Sequence, residues 1–202
     1  MKPLIYALLG LAALICPQIL RAQETYKLTA ESVFYVDGSS NIHDWTSTSR
    51  TVEGQVVFGK NFGKKAVPAK GATVDRVYVK IPVNTIDGGR GPVMNQRTVE
   101  ALKGDQHPHV VFELDQGLVT GIKDEAQGIF WLYVKGRLSI AGVTKPIDMT
   151  LDARRRADGK YQFTGSKAMK MTDFGVTPPT AMFGQIETGD DITVRFDVVA
   201  GL

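Results

Sequence analysis

The stretch Phe130-Trp131-Leu132-Tyr133-Val134-Lys135-Gly136-Arg137-Leu138-Ser139-Ile140 alternates residue by residue between two kinds of position. A period of two marks a β-strand with one buried face, because successive side chains leave opposite sides of the pleat. Phe130, Leu132, Val134, Gly136, Leu138 and Ile140 form the inward row, and Trp131, Tyr133, Lys135, Arg137 and Ser139 the outward one. The same pattern recurs on both sides of this stretch. Val77, Val79, Ile81 and Val83 alternate with Arg76, Tyr78, Lys80 and Pro82; Ile147, Met149, Leu151 and Ala153 alternate with Asp148, Thr150 and Asp152. Near the end of the chain, Ile192, Val194, Phe196 and Val198 are set against Thr193, Arg195 and Asp197.

Weaker strands fit residues 26–36, 51–58, 109–120 and 160–171, with turn signals at Asp37-Gly38, Asp158-Gly159 and Gly189-Asp190. The fold class is therefore all-β, with about eight strands that are antiparallel because most connections are too short for a crossover. One short helix is expected over 95–103, with Val99 and Leu102 on a common inward face and Gly104 as its C-terminal stop. Periodicity leaves a barrel and a sandwich equally open. The difference matters, since a closed eight-stranded barrel has an interior just wide enough to be filled by side chains or to hold one small ligand.

Residues 1–23 stand apart. Lys2, the apolar run 4–15 and Leu20-Arg21-Ala22 have the layout of a secretory signal peptide cut near Gln23, and the run is short for a membrane span. Cys16, the single cysteine, lies in this segment behind Ile15 and not behind a small residue, so a lipid anchor is not expected. The remaining 24–202 would form one cysteine-free domain without disulfides, thiol chemistry or thiolate metal sites. The chain has 24 Lys+Arg against 21 Asp+Glu, and losing Lys2 and Arg21 leaves 22 against 21. That balance argues against nucleic acid as a partner, and Arg154-Arg155-Arg156 reads as a solvated hairpin end.

The chemistry-bearing residues are few. No Gly-x-Ser-x-Gly elbow or other positioned nucleophile accompanies the three histidines, so no catalytic residue is assigned. His107 and His109 would share one side of a strand, but a third metal ligand is missing and no metal or other cofactor is expected. His43, Asp44 and Trp45 form the tightest polar-aromatic cluster. They read either as contacts to a ligand head or as a structural corner with a capped turn and an aromatic plug. The loop Thr177-Pro178-Pro179-Thr180-Ala181-Met182-Phe183-Gly184 carries Met182 and Phe183, which a solvated turn would not need. It reads as a mouth touching a ligand or as a loop folded over the core edge.

Four segments together resemble a known family. They are Val79-Lys80-Ile81-Pro82-Val83 followed by Thr85-Ile86-Asp87; Ala101-Leu102-Lys103 with His107-Pro108-His109-Val110-Val111-Phe112; Val134-Lys135-Gly136-Arg137-Leu138-Ser139-Ile140-Ala141-Gly142-Val143-Thr144-Lys145-Pro146-Ile147; and Met171-Thr172-Asp173-Phe174-Gly175-Val176. These are similar to the signature stretches of the YceI-like, polyisoprenoid-binding family, over essentially all of 24–202. The resemblance implies a lipocalin-like barrel and an apolar tunnel for a long-chain amphiphile such as a polyisoprenoid, quinone or fatty-acid derivative. It also implies a periplasmic or secreted location, an association with stress response, no stable membrane insertion, and dimerisation with a second copy. The chain departs from the family pattern at Met94-Asn95-Gln96-Arg97-Thr98-Val99 and at Ser40-Asn41-Ile42-His43-Asp44-Trp45, where polar groups would face a ligand head.

On this reading the ligand-binding set is His43, Asp44 and Trp45 at the head, Val79, Ile81, Phe112, Leu132, Val134, Leu138, Phe163 and Phe196 along the tunnel, and Met182 and Phe183 at the mouth. Two other readings remain: a filled barrel acting as a protein-interaction or stress-protective module, and a lipid-acting enzyme with His43 and Asp44 as acid and base.

Overall fold

Branched and aromatic residues at every second position produce strands along nearly the whole chain. The computed structural model describes residues 23–63 and 67–202, so the expected signal peptide lies outside the described residues except for Gln23. The strands are β1 (Thr25–Leu28), β2 (Val33–Ser40), β3 (Asp44–Ser49), β4 (Glu53–Phe58), β5 (Thr73–Pro82), β6 (His109–Asp124), β7 (Ile129–Ile140), β8 (Val143–Arg155), β9 (Tyr161–Lys170), β10 (Thr180–Ala181) and β11 (Ile186–Gly201). A single α-helix, α1 (Pro92–Ala101), and three short 3-10 turns complete the described elements.

β1 and β2 follow one another along the same edge of β11, through Leu28↔Ala200 and then Val33↔Asp197. β3 pairs with β2 and β4 with β1, so these four make two bent staves. Together with β5, β6, β7, β8, β9 and β11 they close an antiparallel eight-stranded barrel, because β1 joins both β4 and β11. A sandwich would leave free sheet ends. Closure removes them.

The expected strand 26–36 is broken at residues 29–32. Ser32, 1 % exposed, fills the break: its Oγ accepts from the Val199 N–H at 3.1 Å and donates to the Val199 carbonyl at 3.2 Å. A buried hydroxyl is thereby fully paired. Two turn expectations need correction, while Asp158-Gly159 does turn the chain between β8 and β9. Asp37-Gly38 lies within β2, opposite Thr193 and Ile192, and the reversal comes later, between Ser40 and Asp44. Gly189-Asp190 is a register irregularity inside β11, between Thr188 and Ile192. The β7–β8 reversal is a two-residue turn at Ala141 (φ 49°) and Gly142 (φ 85°), where positive φ at both positions matches the twist of a hairpin. Ala141 stands where Asn is usual because its methyl is buried with Met171, Phe174 and Val176.

The helix is also displaced from expectation, to 92–101 with Pro92 in its first turn. Its end is a Schellman motif: Gly104 N–H donates to Val99 O at 2.8 Å and Lys103 N–H to Glu100 O at 2.9 Å. The left-handed residue is Lys103 (φ 53°), not Gly104. Gly104 is needed for room, since a Cβ there would lie 2.6 Å from Val99 Cγ1. Val99 therefore turns towards Val83 and away from the face that carries Leu102.

One barrel end is sealed by aromatic rings. Tyr26, Phe58, Phe62, Phe130, Tyr161 and Phe163 interlock with centroid separations from 4.2 to 6.5 Å. Such pairs stabilise by about 0.5–1.5 kcal/mol each beyond area burial. The other end carries α1, the β2–β3 hairpin and the loop before β11. Towards that end the wall splits. The β8–β9 ladder holds only Asp152↔Thr164 to Arg155↔Tyr161, so Val143 to Leu151 are paired with β7 alone and Gly165 to Lys170 with β11 alone. Lys167 Nζ spans the split and donates to the Asp148 carbonyl at 2.6 Å. Among the described residues no helix is long and apolar enough to cross a membrane.

Candidate functional site

Inside the barrel, above the aromatic plug, lies a cavity of about 640 Å³. That size falls in the range of small-molecule sites, about 300–1,000 Å³. Its floor is set by Val56, Val74, Leu132, Phe163 and Val198, which belong to the cluster that seals the plugged end. The waist is apolar: Phe34, Val79, Ile81, Phe112, Val134 and Phe196 line it. Phe34 and Phe196 stack at 5.5 Å. Phe196 also packs against Gly165, where a Cβ would meet its Cζ at 2.8 Å. Met94, Met149, Met169 and Met171 add flexible thioethers to the lining, which adapt to the shape of a guest better than branched side chains do.

The mouth is polar. Ser40, His43 and Ser47 reach the cavity from the β2–β3 hairpin, Arg90 from the loop before α1, and Arg97 and Thr98 from α1. Thr180 and Thr188 enter from the opposite side. The hairpin is pinned at its tip, where Ser40 Oγ accepts from the His43 N–H at 3.2 Å and donates to the His43 carbonyl at 2.8 Å. Ser40, not Asp44, is the cap of that turn. Asn41 Nδ2 donates to Gln185 O at 2.8 Å and ties the hairpin to the loop across the mouth.

Trp45 lies across Gly38, its cross-strand partner, and a Cβ on Gly38 would fall 2.2 Å from Trp45 Cζ2. The indole N–H donates to Ser39 O at 3.0 Å. On the outer face of the same strands, Thr46 Oγ1 donates to Asp37 Oδ1 at 2.7 Å, and both Nε and Nη2 of Arg195 donate to the same carboxylate. The Arg195 guanidinium holds the Asp37 carboxyl below its ordinary range. Asp87 and Asp190 anchor the mouth segments in the same way. Asp87 accepts from the Gly89 N–H at 2.9 Å and from Asn95 Nδ2 at 3.0 Å; Asp190 accepts from the Thr172 N–H and hydroxyl. Both sit below the usual carboxylate range, chiefly through those backbone N–H bonds.

A family model for the YceI-like domain matches residues 26–200. The chain belongs to the YceI-like domain family. Solved structures similar to this YceI-like barrel include a polyisoprenoid binding domain from Saccharophagus degradans implicated in plant cell wall breakdown. The two are 14% identical with a TM-score of 0.64, over 89% of this chain and 99% of that one. BcnA from Burkholderia cenocepacia is 15% identical with a TM-score of 0.62, covering 84% of this chain and 96% of its own. The Campylobacter jejuni YCEI protein is 19% identical with a TM-score of 0.53, covering 77% and 84%. At these identities the likeness is one of fold. No curated protein matches the chain.

Of the residues singled out in the sequence, Val79, Ile81, Phe112, Leu132, Val134, Leu138, Phe163 and Phe196 line the YceI-like cavity, and so do His43 and Trp45 at its mouth. Asp44 does not. It is exposed on the outer side of the hairpin, and its contact to His43 runs from the imidazole Nδ1 to the Asp44 backbone carbonyl at 3.0 Å. Phe183, left-handed at φ 56° and ψ 36°, is fully exposed and points away from the cavity, although Pro179 and Thr180 of the same loop line it. The Met182 side chain lies outside the described residues. Among the described residues no group of three His, Cys, Asp or Glu is placed to hold a metal ion.

Sequence reasoning missed Arg90, Lys167, Lys170 and the methionine row. Arg97 lies in the segment where the sequence departs from the family pattern, which was one available signal. Met94, Arg97, Thr98 and Ala101 also follow a helical i, i+3, i+4, i+7 stripe, and the stripe faces the cavity.

Proposed function

We propose that this YceI-like barrel binds and carries a long-chain amphiphile, such as a polyisoprenoid, quinone or fatty-acid derivative, in an extracytoplasmic space. The observation that carries this is the unfilled interior: an apolar cavity of about 640 Å³, sealed by aromatic rings at one end and polar at the other. A filled barrel would have side chains where this one has space, which favours a carrier over a purely protein-binding module. The tail enters first and ends against Leu132, Phe163 and Val198, the head stays near His43 and Trp45, and the protein performs no chemistry on it. The sequence pattern of residues 1–23 supports export.

Each buried methylene contributes about 0.8 kcal/mol, so a fifteen-carbon tail gains roughly 12 kcal/mol gross. Immobilising the ligand costs about 4–15 kcal/mol. Short tails therefore gain little net affinity, and long ones are selected. Native mass spectrometry of protein purified without detergent, followed by organic extraction, tests the reading. A stoichiometric long-chain species is expected. A ligand-free protein that also refuses added prenyl quinones and fatty acids would overturn it.

A further inference from the structure

We propose, building on the carrier reading, that the ligand's head is anionic, a carboxylate or a phosphate monoester, and that Arg90 and Arg97 hold it at the mouth. The cavity lining contains Arg90, Arg97, Lys167 and Lys170, and among the described residues no Asp or Glu. Two of these cations are already committed. Lys167 donates to the Asp148 carbonyl at 2.6 Å, and Lys170 pairs with Asp191 at 2.8 Å and Asp190 at 3.8 Å. Arg90 and Arg97 make no ion pair among the described residues. The carboxylates nearest to them in sequence have other partners: Asp87 receives Gly89 and Asn95, and Glu100 accepts from Gln96 at 3.3 Å.

Their placement makes a clamp. Arg97 shares the cavity-facing stripe of α1 with Met94, Thr98 and Ala101, an otherwise uncharged row. Arg90 sits between Gly89 (φ 67°) and Gly91 (φ 87°), which turn the chain back over the mouth. A guanidinium presents a planar fork of donors that matches a carboxylate or phosphate, whereas an alcohol or a quinone carbonyl offers it little beyond what water offers. His43 and the Thr180 hydroxyl join the ring around the head without adding negative charge, while the Ser40 and Thr98 hydroxyls donate to the His43 and Met94 carbonyls. The tail sets whether a molecule binds, and the arginines set which heads are kept.

The test uses delipidated protein and two pairs of probes that share a tail: oleic acid with oleyl alcohol, and geranylgeranyl monophosphate with geranylgeraniol, each below its aggregation threshold. The acid and the phosphate should bind about tenfold more tightly than their alcohols, with the margin shrinking as salt is raised. Arg90→Gln with Arg97→Gln should abolish the margin, the acid and the phosphate losing affinity towards the level of their alcohols; Arg90→Lys with Arg97→Lys should retain part of it. Circular dichroism of each variant checks the fold. Equal affinity for acid and alcohol in the wild type, or a margin that survives the double Gln variant, would overturn the proposal and leave the carrier reading standing. Displacement of oleate by inorganic phosphate alone would overturn it in favour of a free-anion site. Refusal of all four probes would remove the carrier reading along with it.

Discussion

At Gly38 the missing side chain lets the Trp45 ring lie across β2 and form one wall of the mouth. Gly38→Val would force the ring away, and overpacking of this kind costs about 1–3 kcal/mol. The variant should melt at a lower temperature and release ligand faster, both read in one experiment that follows Trp45 fluorescence during melting and dilution. A variant that melts lower but holds ligand at the wild-type rate would mean that Trp45 supports the hairpin and not the ligand. Asp37 acts on the other face of the same strands. Its folded carboxyl is held below the ordinary 3.8, mainly by Arg195. A depressed carboxyl adds stability above its unfolded value and loses it as pH falls through the folded one. Asp37→Asn should therefore lower stability near neutral pH by about 0.2–1 kcal/mol, the range of a partly exposed pair. The deficit should shrink in denaturant titrations as pH falls below 3.8 and vanish once pH is below the lower, folded value. A deficit of undiminished size at that acid end would assign the loss to geometry instead of charge.

Among the strands, the pairing between β8 and β9 decides how firm the wall is. It covers Asp152–Arg155 and leaves Val143 to Leu151 of β8, and Gly165 to Lys170 of β9, each with one partner strand. Backbone groups without a ladder partner exchange through small local openings. The amides of β9 that face the split should exchange with deuterium well before those of β7, which is paired on both edges along most of its length. Uniform protection across β7, β8 and β9 would show the split closed in solution. The sequence showed β7, β8 and β11 clearly, because an inward row and an outward row survive in each. It hid the divergence of β8 from β9, since alternation fixes which face is buried and not which neighbour a strand keeps. It also misplaced the turn at Asp37-Gly38, where Gly38 serves Trp45 and not a reversal. Of the site, the apolar waist was legible because inward positions of a barrel are the lining. Arg90 was not, because a loop residue joins the mouth only through the path of the chain between β5 and α1.

The molecule as a whole is a barrel with unequal ends. Aromatic rings fill the plugged end, and the other keeps a cavity edged by Arg90, Arg97 and His43. Closure itself was beyond periodicity, which allowed a sandwich equally. The pairing of β1 with both β4 and β11 decides it. The polarity of the cavity predicts the direction in which a guest lies: tail towards Leu132 and Phe163, head towards Trp45. From Leu132 to Ile140 the lining runs eight residues along β7, roughly 26 Å at about 3.3 Å per residue, so the two ends of a bound chain are well separated. Trp45 is at the mouth and the other tryptophan, Trp131, is on the outer face. A Trp131→Phe background therefore isolates a single reporter. The decisive measurement is quenching of Trp45 by fatty acids carrying a nitroxide either near the carboxylate or near the far end of the chain. The carrier account predicts strong quenching by the first and little by the second. Equal quenching by both, or stronger quenching by the far label, would contradict it.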